Sequence, residues 1–403
     1  MSGAATSPTP AARLVTPAFA ALLAAALAFF TAGGVVLPVA TRYAAGPLGA
    51  DPAGVGFSIG VFAIAALAMR PVVGWASDRY GRRPLLLLGG ALTVVALGMH
   101  LVATTLPLFV AARSMLGIAE AFFFVAAVAA ISDIAPAERR GEAINIGSVS
   151  VYLGLGVGPF IGETVLAAAG FAAVWLVAAA LAAVATVLTL IVPETAPAVL
   201  AGGDGPRPRS RFIHPAGIFP GILILTGAWG MAGFLAFVPL YATEVGMGGA
   251  GLALAGYALI NIVLRVVFAK LPDRIGAARL SGSALAVSAA GLAIMGLIPT
   301  PIGLLAGTAV FASGIAFMFP ALVALAVSRV DETERGSVVG TTTLFLDLAF
   351  GLAPAVLGAL AGLTGYGPTF VVSGAIAATG SLVLYLRRGS VTAPAVQPPT
   401  LAR

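Results

Sequence analysis

Long apolar segments recur along almost the whole chain, and they constrain its fold more than any other feature. Each is long enough to cross the ~30 Å hydrocarbon core of a bilayer as a helix. Because backbone polar groups must be paired inside hydrocarbon, such segments fold as helices. The sequence therefore predicts an all-α membrane protein with twelve transmembrane helices at 16–40, 54–77, 84–105, 107–131, 142–168, 171–192, 217–241, 249–270, 278–298, 301–327, 337–362 and 366–386.

The composition supports lipid as the main solvent and excludes several kinds of chemistry. Of 403 residues, 60% are hydrophobic and 9% charged, whereas about a quarter are charged in soluble domains. The chain has no Cys, and its two His are His100 and His214, so we expect no metal site. No phosphate-binding loop of the Walker type occurs. We see no paired nucleophile and base, and we predict that the protein has no cofactor and is not an enzyme.

The distribution of Lys and Arg predicts the orientation in the membrane. With the N-terminus inside, the inner segments hold nearly all basic residues and the outer segments hold Arg42 alone. Basic residues favour the cytoplasmic side, so both termini are predicted to be cytoplasmic. The formal charge of +6 reflects this anchoring and predicts no nucleic-acid partner. The first apolar segment is followed by further spans, so it is not a cleavable signal peptide. We predict a multi-pass protein of the plasma (inner) membrane.

A polar insert at 202–211 separates the first six predicted spans from the last six. It predicts an N-terminal bundle over 15–195, a cytoplasmic linker over 196–216 and a C-terminal bundle over 217–388. The tails 1–14 and 389–403 are rich in Pro, Ala, Ser and Thr, which is typical of disordered segments.

The two predicted bundles are related by an internal repeat. Several residues recur without gaps at an offset of 195, and a duplicated polytopic protein is most often a transporter. Arg70 and Arg265 each precede a repeated Asp-Arg turn by eight residues. We expect them to reach the membrane surface or to pair with that Asp, and the alternative is contact with substrate. The matching pairs are Arg70 with Arg265, Asp78 with Asp273, Arg140 with Arg335 and Pro159 with Pro354.

Four motifs carry a close resemblance to the major facilitator superfamily. Gly74-Trp-Ala-Ser-Asp78-Arg79-Tyr-Gly81-Arg82-Arg83 is similar to the family's loop between spans two and three, and 136–143 to its loop after span four. Arg113-Ser-Met-Leu-Gly117 resembles its span-four motif. Gly154-Leu-Gly-Val-Gly158-Pro159-Phe-Ile-Gly162-Glu163 resembles the span-five motif of the drug:proton antiporter branch, with Glu163 in place of the last Gly.

The resemblance implies a fold of two pseudo-symmetric six-helix bundles with the substrate between them. It also implies that the charged turn latches one state from the cytoplasmic side, and the alternative is a plain topology anchor. The residues assigned to this latch are Gly74, Asp78, Arg79, Gly81, Arg82, Arg83, Asp273, Arg274, Arg139 and Arg140. Gly154, Gly158, Pro159 and Gly162 are assigned to a hinge or to close helix packing, because glycines every fourth residue form a smooth helix face.

Ionisable residues inside the spans are the candidates for substrate binding and proton coupling. Such residues are expensive in hydrocarbon and usually face a cavity or a partner. Arg113 and Glu120 are seven residues apart on one face of span four, Asp347 lies in the middle of span eleven, and Glu163 lies near the outer end of span five. For Arg113, Glu120 and Asp347 the alternative is a buried structural contact, and for Glu163 it is contact with headgroup water.

These observations predict a secondary active transporter that uses proton influx to export a small, drug-like compound by alternating access. Uptake or facilitated transport of a sugar, organic acid or other metabolite is the alternative, and a non-transporting membrane sensor is a remote one. The expected partners are a small-molecule substrate, protons and the lipid bilayer, and the expected state is a monomer.

Overall fold

The computed structural model describes residues 14–136, 139–195, 213–268, 271–328, 330 and 334–392, and these contain no β-strand. Within these residues the regular structure consists of twelve helices. Their bounds are α1 Pro17–Ala45, α2 Pro52–Tyr80, α3 Arg83–Val102, α4 Leu106–Ile134, α5 Arg140–Thr189, α6 Pro215–Glu244, α7 Gly251–Val267, α8 Leu271–Ile275, α9 Ala277–Leu297, α10 Pro301–Val327, α11 Arg335–Thr364 and α12 Tyr366–Thr392.

The prediction of an all-helical membrane protein is confirmed for the described residues. Ten helices are long and apolar enough to cross a membrane. These elements do not correspond one to one with the predicted spans. α5 has 50 residues and covers two of them, whereas α7 has only 17 residues and α8 has five.

Several helices start at a capping residue followed directly by proline. The side chains of Thr16, Asp51 and Thr300 accept hydrogen bonds from the backbone N–H three residues on, at 3.2, 2.8 and 3.1 Å. These oxygens satisfy N–H groups that a helix leaves unpaired at its start. The proline after each cap costs no hydrogen bond, because an N–H at this first helical position would have no partner within the helix. Local sequence thus fixes where α1, α2 and α10 begin.

The sequence repeat is also visible in the backbone. Gly81 and Gly276 have φ of +94° and +81°, and Gly170 and Gly365 have φ of +77° and +83°. Both pairs have the offset of 195, as do the starts of α4 and α10 and of α5 and α11. Gly365 separates α11 from α12, and Gly170 marks the equivalent point inside α5, where non-helical backbone bends the helix.

The helices pack in two groups. Helices α1–α5 contact one another and form the N-terminal group, and α6–α12 form the C-terminal group. The groups meet where α2 packs on α11, α5 on α7 and α1 on α6. α6 begins at Pro215, inside the predicted linker, and α12 extends to Thr392, beyond the predicted end of the bundle. Most of the predicted linker and tails, at 1–13, 196–212 and 393–403, lies outside the described residues.

Contacts between helix ends define two faces of the protein, one at each end of the helices. The Tyr43 hydroxyl, near the end of α1, donates to the carbonyl oxygen of Ala103, just after α3, at 2.9 Å. Arg82, just after α2, pairs with Asp133 near the end of α4 at 3.0 Å. We call the face with Arg82 the basic face and the face with Tyr43 the opposite face. The basic face also carries Arg79, Arg83, Arg139, Arg140 and Arg335.

Candidate functional site

An ion pair joins the two groups of helices between the faces. Nη1 of Arg70 on α2 lies 2.7 Å from Oδ2 of Asp347 on α11, and Nη2 donates to Oδ1 at 3.0 Å. The side chains are 23% and 17% exposed. A hydrogen bond between two ionised groups is stronger than one between neutral groups, and it fixes how these two side chains meet. Asp347 thus lies where the two groups meet, which the sequence could not show.

Glu120 on α4 completes a central charged cluster, which we define as Arg70, Glu120 and Asp347. Arg70 and Asp347 are the charged side chains that interact electrostatically with Glu120. Glu120 is half-buried and forms no hydrogen bond or salt bridge with any other described residue. The cluster carries one net negative charge when all three groups are ionised.

Aromatic rings lie beside the central charged cluster. The guanidinium of Arg70 lies 5.4 Å from the centroid of the Phe124 ring, one turn after Glu120 on α4. Phe30 of α1 meets Phe124 edge to face, with centroids 5.9 Å apart. The cluster therefore has charged groups from three helices next to an apolar aromatic surface.

The position of Arg70 differs from the expectation. Arg70 was expected near the membrane surface or near Asp78, but it pairs with Asp347, because α11 brings a carboxylate closer than a residue eight positions along the same helix. Arg265, its counterpart in the repeat, donates through Nε to the carbonyl oxygen of Ala316 at 3.1 Å. The pairing of Arg265 with Asp273 stays a prediction, because the Asp273 side chain lies outside the described residues.

Arg113 lies closer to the opposite face than the central charged cluster. It is 3% exposed, and its Nε donates to the carbonyl oxygen of Ser58 on α2 at 3.3 Å. Its guanidinium lies 5.0 Å from the centroid of the Phe62 ring. Arg113 thus contacts α2, whereas Glu120, two turns along the same face of α4, interacts electrostatically with Arg70 of α2.

Glu163 forms an ion pair near the opposite face. Its Oε2 lies 3.3 Å from Nη1 of Arg42, and the Glu163 side chain is 9% exposed. The pair joins α1 and α5, and the backbone before α7 packs on it: a Cβ added at Gly249 would lie 3.0 Å from Nη2 of Arg42. Glu163 is therefore buried where the two groups of helices meet.

A second contact between the groups is a close approach of backbones, which we call the seam. It comprises Pro52–Gly60 of α2 and Gly351–Gly358 of α11. A Cβ added at Gly56, Gly60 or Gly358 would overlap a carbonyl oxygen of the other helix. The seam was not predicted from the sequence, although the four-residue spacing of Gly56 and Gly60 is a signal for close helix packing.

The charged turn between α2 and α3 is held by residues of its own group. Nε of Arg82 pairs with Oδ2 of Asp133 at 3.0 Å, and Nη1 of Arg82 donates to the carbonyl oxygen of Ser77 at 2.5 Å. The backbone N–H of Arg82 donates to Oε1 of Glu194 at 2.7 Å. Arg83 donates to the carbonyl oxygen of Leu190 at 2.9 Å. Sequence reasoning did not single out Asp133 or Glu194.

The other predicted latch residues whose side chains the structure describes do not form one cluster. Arg79 is exposed and lies 5.8 Å from the ring centroids of both Trp75 and Tyr80. Arg139 pairs with Glu142 at 2.8 Å. Arg140 and Arg274 are exposed, and a Cβ added at Gly74 would meet nothing within 4 Å. The side chains of Asp78 and Asp273 lie outside the described part of the chain.

The predicted hinge glycines pack against α1. A Cβ added at Gly154, Gly158 or Gly162 would collide with the backbone of α1 between Leu27 and Val35. Pro159 lies at the same contact, beside Gly34. The four residues therefore allow α1 and α5 to approach closely.

An all-helical fold whose ionisable residues lie between two repeated groups of apolar helices defines a multi-pass membrane transporter. The model of the Major Facilitator Superfamily matches residues 21–349 and 247–401. The chain therefore belongs to the major facilitator superfamily.

One relative and two solved structures illustrate what this chain is similar to. An uncharacterised MFS-type transporter of Salmonella typhimurium is 29% identical over 342 residues, which cover 82% of this chain and 86% of the relative. The crystal structure of the nucleoside transporter NupG matches with a TM-score of 0.74 and 16% identity, over 91% of this chain and 99% of that one. A POT family transporter in complex with 5-aminolevulinic acid matches with a TM-score of 0.79 and 13% identity, over 93% and 96%.

Proposed function

We propose that this protein is a proton-coupled secondary transporter that exports a small compound by alternating access. The observation that carries the proposal is the Arg70–Asp347 ion pair between the two groups of helices, with Glu120 beside it. Ionisable residues at this depth are a functional site by default, because placing them in a membrane is unfavourable.

Charge balance in the central charged cluster suggests how coupling works. Two carboxylates and one guanidinium leave one negative charge, which either a proton or a cationic group of a substrate can neutralise. A proton on Asp347 also weakens its pair with Arg70, and with it one connection between the groups. Proton binding and relative movement of the groups are therefore coupled at one place. We assign coupling to Glu120 and Asp347.

We propose twelve membrane crossings in two sets of six. α5 counts as two crossings because Gly170 corresponds to Gly365, which separates α11 from α12. Non-helical backbone at Gly170 divides α5 into segments of about 45 Å and about 29 Å, and each is about long enough for one crossing. α7 completes the second set. The excess of arginine on the basic face supports a cytoplasmic position for that face, and we assign the protein to the plasma membrane as a monomer.

The closed side of this conformation is the opposite face. The seam and the contact of Arg42 and Glu163 with Gly249 lie on that side, so we assign Glu163 to its closure. The turn held by Arg82, with Asp78, Asp273 and the loop at Arg139 and Arg140, is assigned to closure of the basic face in the other state.

The test is proton movement in liposomes that contain the purified protein and an entrapped pH dye. Compounds are first selected by thermal stabilisation of the protein at two pH values, because a ligand that binds the folded state raises its apparent stability. If the protein is an antiporter, entry of a selected compound expels protons and raises the internal pH. Uptake with protons lowers the internal pH instead. Flux of the compound that is independent of an imposed pH gradient would defeat proton coupling.

A further inference from the structure

Arg113 is a buried cation without a carboxylate partner among the described residues. Its contacts are the carbonyl oxygen of Ser58 and the ring of Phe62, both on α2. His100 is close enough to interact with it electrostatically, but imidazole cannot supply a negative charge. A helical carbonyl has a second lone pair to offer, and an aromatic face attracts a cation. Both of these contacts of the Arg113 guanidinium therefore come from one side of α2.

The same stretch of α2 forms the seam with α11. Gly56 and Gly60 are one turn apart and face α11, while Ser58 and Phe62 are likewise one turn apart and contact Arg113. Two residues correspond to about 200° around a helix, so these pairs lie on nearly opposite sides of α2. In addition, a Cβ added at Gly117, one turn after Arg113, would overlap the carbonyl oxygen of Phe62. α4 thus packs on the side of α2 that lies opposite to the contact of α2 with α11.

We propose that Arg113 is a positioning residue that braces α2 against α11 and so favours closure of the opposite face. It acts through α2 and exchanges no proton with Glu120 or the substrate. The inference rests on the proposed alternating-access function. Removing Arg113 frees the 56–62 stretch of α2 to move away from α11, so the equilibrium shifts toward the state that is open on the opposite face.

The absence of cysteine from the chain allows single reporters of accessibility. Ala355→Cys places a thiol in the seam, since the Ala355 backbone contacts Gly56. Thr343→Cys places one on α11 a turn before Asp347, on the side of the basic face. The rate of labelling by a maleimide dye, measured on protein in lipid nanodiscs, then reports how far each side is open.

We expect Arg113→Gln to speed labelling of the Ala355→Cys reporter by at least about fivefold, the lower end of typical coupling between sites. The same substitution slows labelling of the Thr343→Cys reporter. Phe62→Leu, which removes the ring beneath the guanidinium, changes both rates in the same directions. The control is Ser114→Ala on α4, whose hydroxyl bonds only to its own helix at the Val110 carbonyl oxygen, and it leaves both rates unchanged. General loosening of the fold would speed both reporters together.

Unchanged labelling in both Arg113→Gln and Phe62→Leu would overturn the inference, and Phe62→Leu decides the question if Arg113→Gln fails to fold. A shift in the pH dependence of transport by Arg113→Gln as large as that of Glu120→Gln would also overturn it, because Arg113 would then act in coupling. Labelling requires neither a substrate nor a proton gradient. Failure of proton-coupled export in liposomes is therefore distinguishable from failure of the brace.

Discussion

Nη1 of Arg70 lies 2.7 Å from Oδ2 of Asp347, although 277 residues separate the two in sequence. The pair connects α2 of the N-terminal group with α11 of the C-terminal group. α2 and α11 also meet in the seam, nearer to the opposite face. Any movement that separates the two helices at both places must break the ion pair, so its strength contributes to the balance between conformations.

Breaking the pair from one side should destabilise the protein more than removing both charges. Arg70→Gln leaves the two carboxylates of the cluster without their cation, and Asp347→Asn removes the carboxylate that hydrogen-bonds to Arg70, and we expect each to cost about 1–3 kcal/mol. The double variant leaves no unpaired charge from this pair and should regain part of that loss. Melting temperatures of the four proteins in one detergent form the double-mutant cycle. Strictly additive losses would show that the two residues do not interact.

Glu120→Gln should abolish proton movement that a compound triggers in the liposome assay. Glutamine keeps the size and much of the hydrogen bonding of glutamate but carries no exchangeable proton of this kind. We expect the change in internal pH to fall to that of protein-free liposomes, while the same compound still stabilises the variant thermally. The matched control is Glu244→Gln, an exposed acid at the end of α6, which should behave like the unmodified protein. Normal proton movement in Glu120→Gln would exclude Glu120 from coupling.

Gly60→Ala should open the seam. Its Cβ would overlap the carbonyl oxygen of Gly351, so α2 and α11 must separate to accommodate it. We expect faster labelling of the Ala355→Cys reporter and a lower melting temperature. Gly98→Ala on α3 is the control, because a Cβ there meets nothing within 4 Å. Alanine in place of a helical glycine with open space around it stabilises the folded protein by about 0.5–1 kcal/mol. Equal behaviour of the two variants would show that the seam does not limit opening.

The features that the sequence predicted well depend on local chemistry or on repetition. Apolar length predicts helices, because the backbone has no other way to satisfy its polar groups in lipid. The offset of 195 predicted equivalent elements, and the left-handed glycines Gly170 and Gly365 share that offset. The contact of Arg113 with α2 and the electrostatic interaction of Glu120 with Arg70 of α2 also agree with the spacing of the two residues on one helix.

The features that could not be predicted depend on which helices become neighbours. Nothing near Arg70 in the sequence points to Asp347, and the local candidate Asp78 was the natural expectation. Likewise, Asp133 and Glu194 reach the charged turn only because α4 and the end of α5 finish on the basic face. A single sequence contains the charged groups but not their pairing, which arises from packing over hundreds of residues.

Gly81→Ala should destabilise the protein more than Gly276→Ala, although both positions have positive φ. Their φ and ψ are +94° and 175° for Gly81 and +81° and 144° for Gly276, a region that is essentially restricted to glycine and costs other residues about 1–3 kcal/mol. At Gly276 a Cβ meets nothing within 4 Å, whereas at Gly81 it would overlap the carboxylate of Glu194. That carboxylate accepts hydrogen bonds from the N–H groups of Arg82 and Thr195, so it cannot move away freely.

The extra loss at Gly81 should disappear when Glu194 is truncated. In a Glu194→Ala background, Gly81→Ala is expected to lower the melting temperature by no more than Gly276→Ala does, because only the backbone strain remains. The comparison uses five melting curves in one detergent, those of the unmodified protein, Gly81→Ala, Gly276→Ala, Glu194→Ala and the double variant. It separates the steric clash with the carboxylate from the backbone strain. If Gly81→Ala keeps its larger effect without the Glu194 carboxylate, the contact between the charged turn and the end of α5 does not explain why glycine is required there.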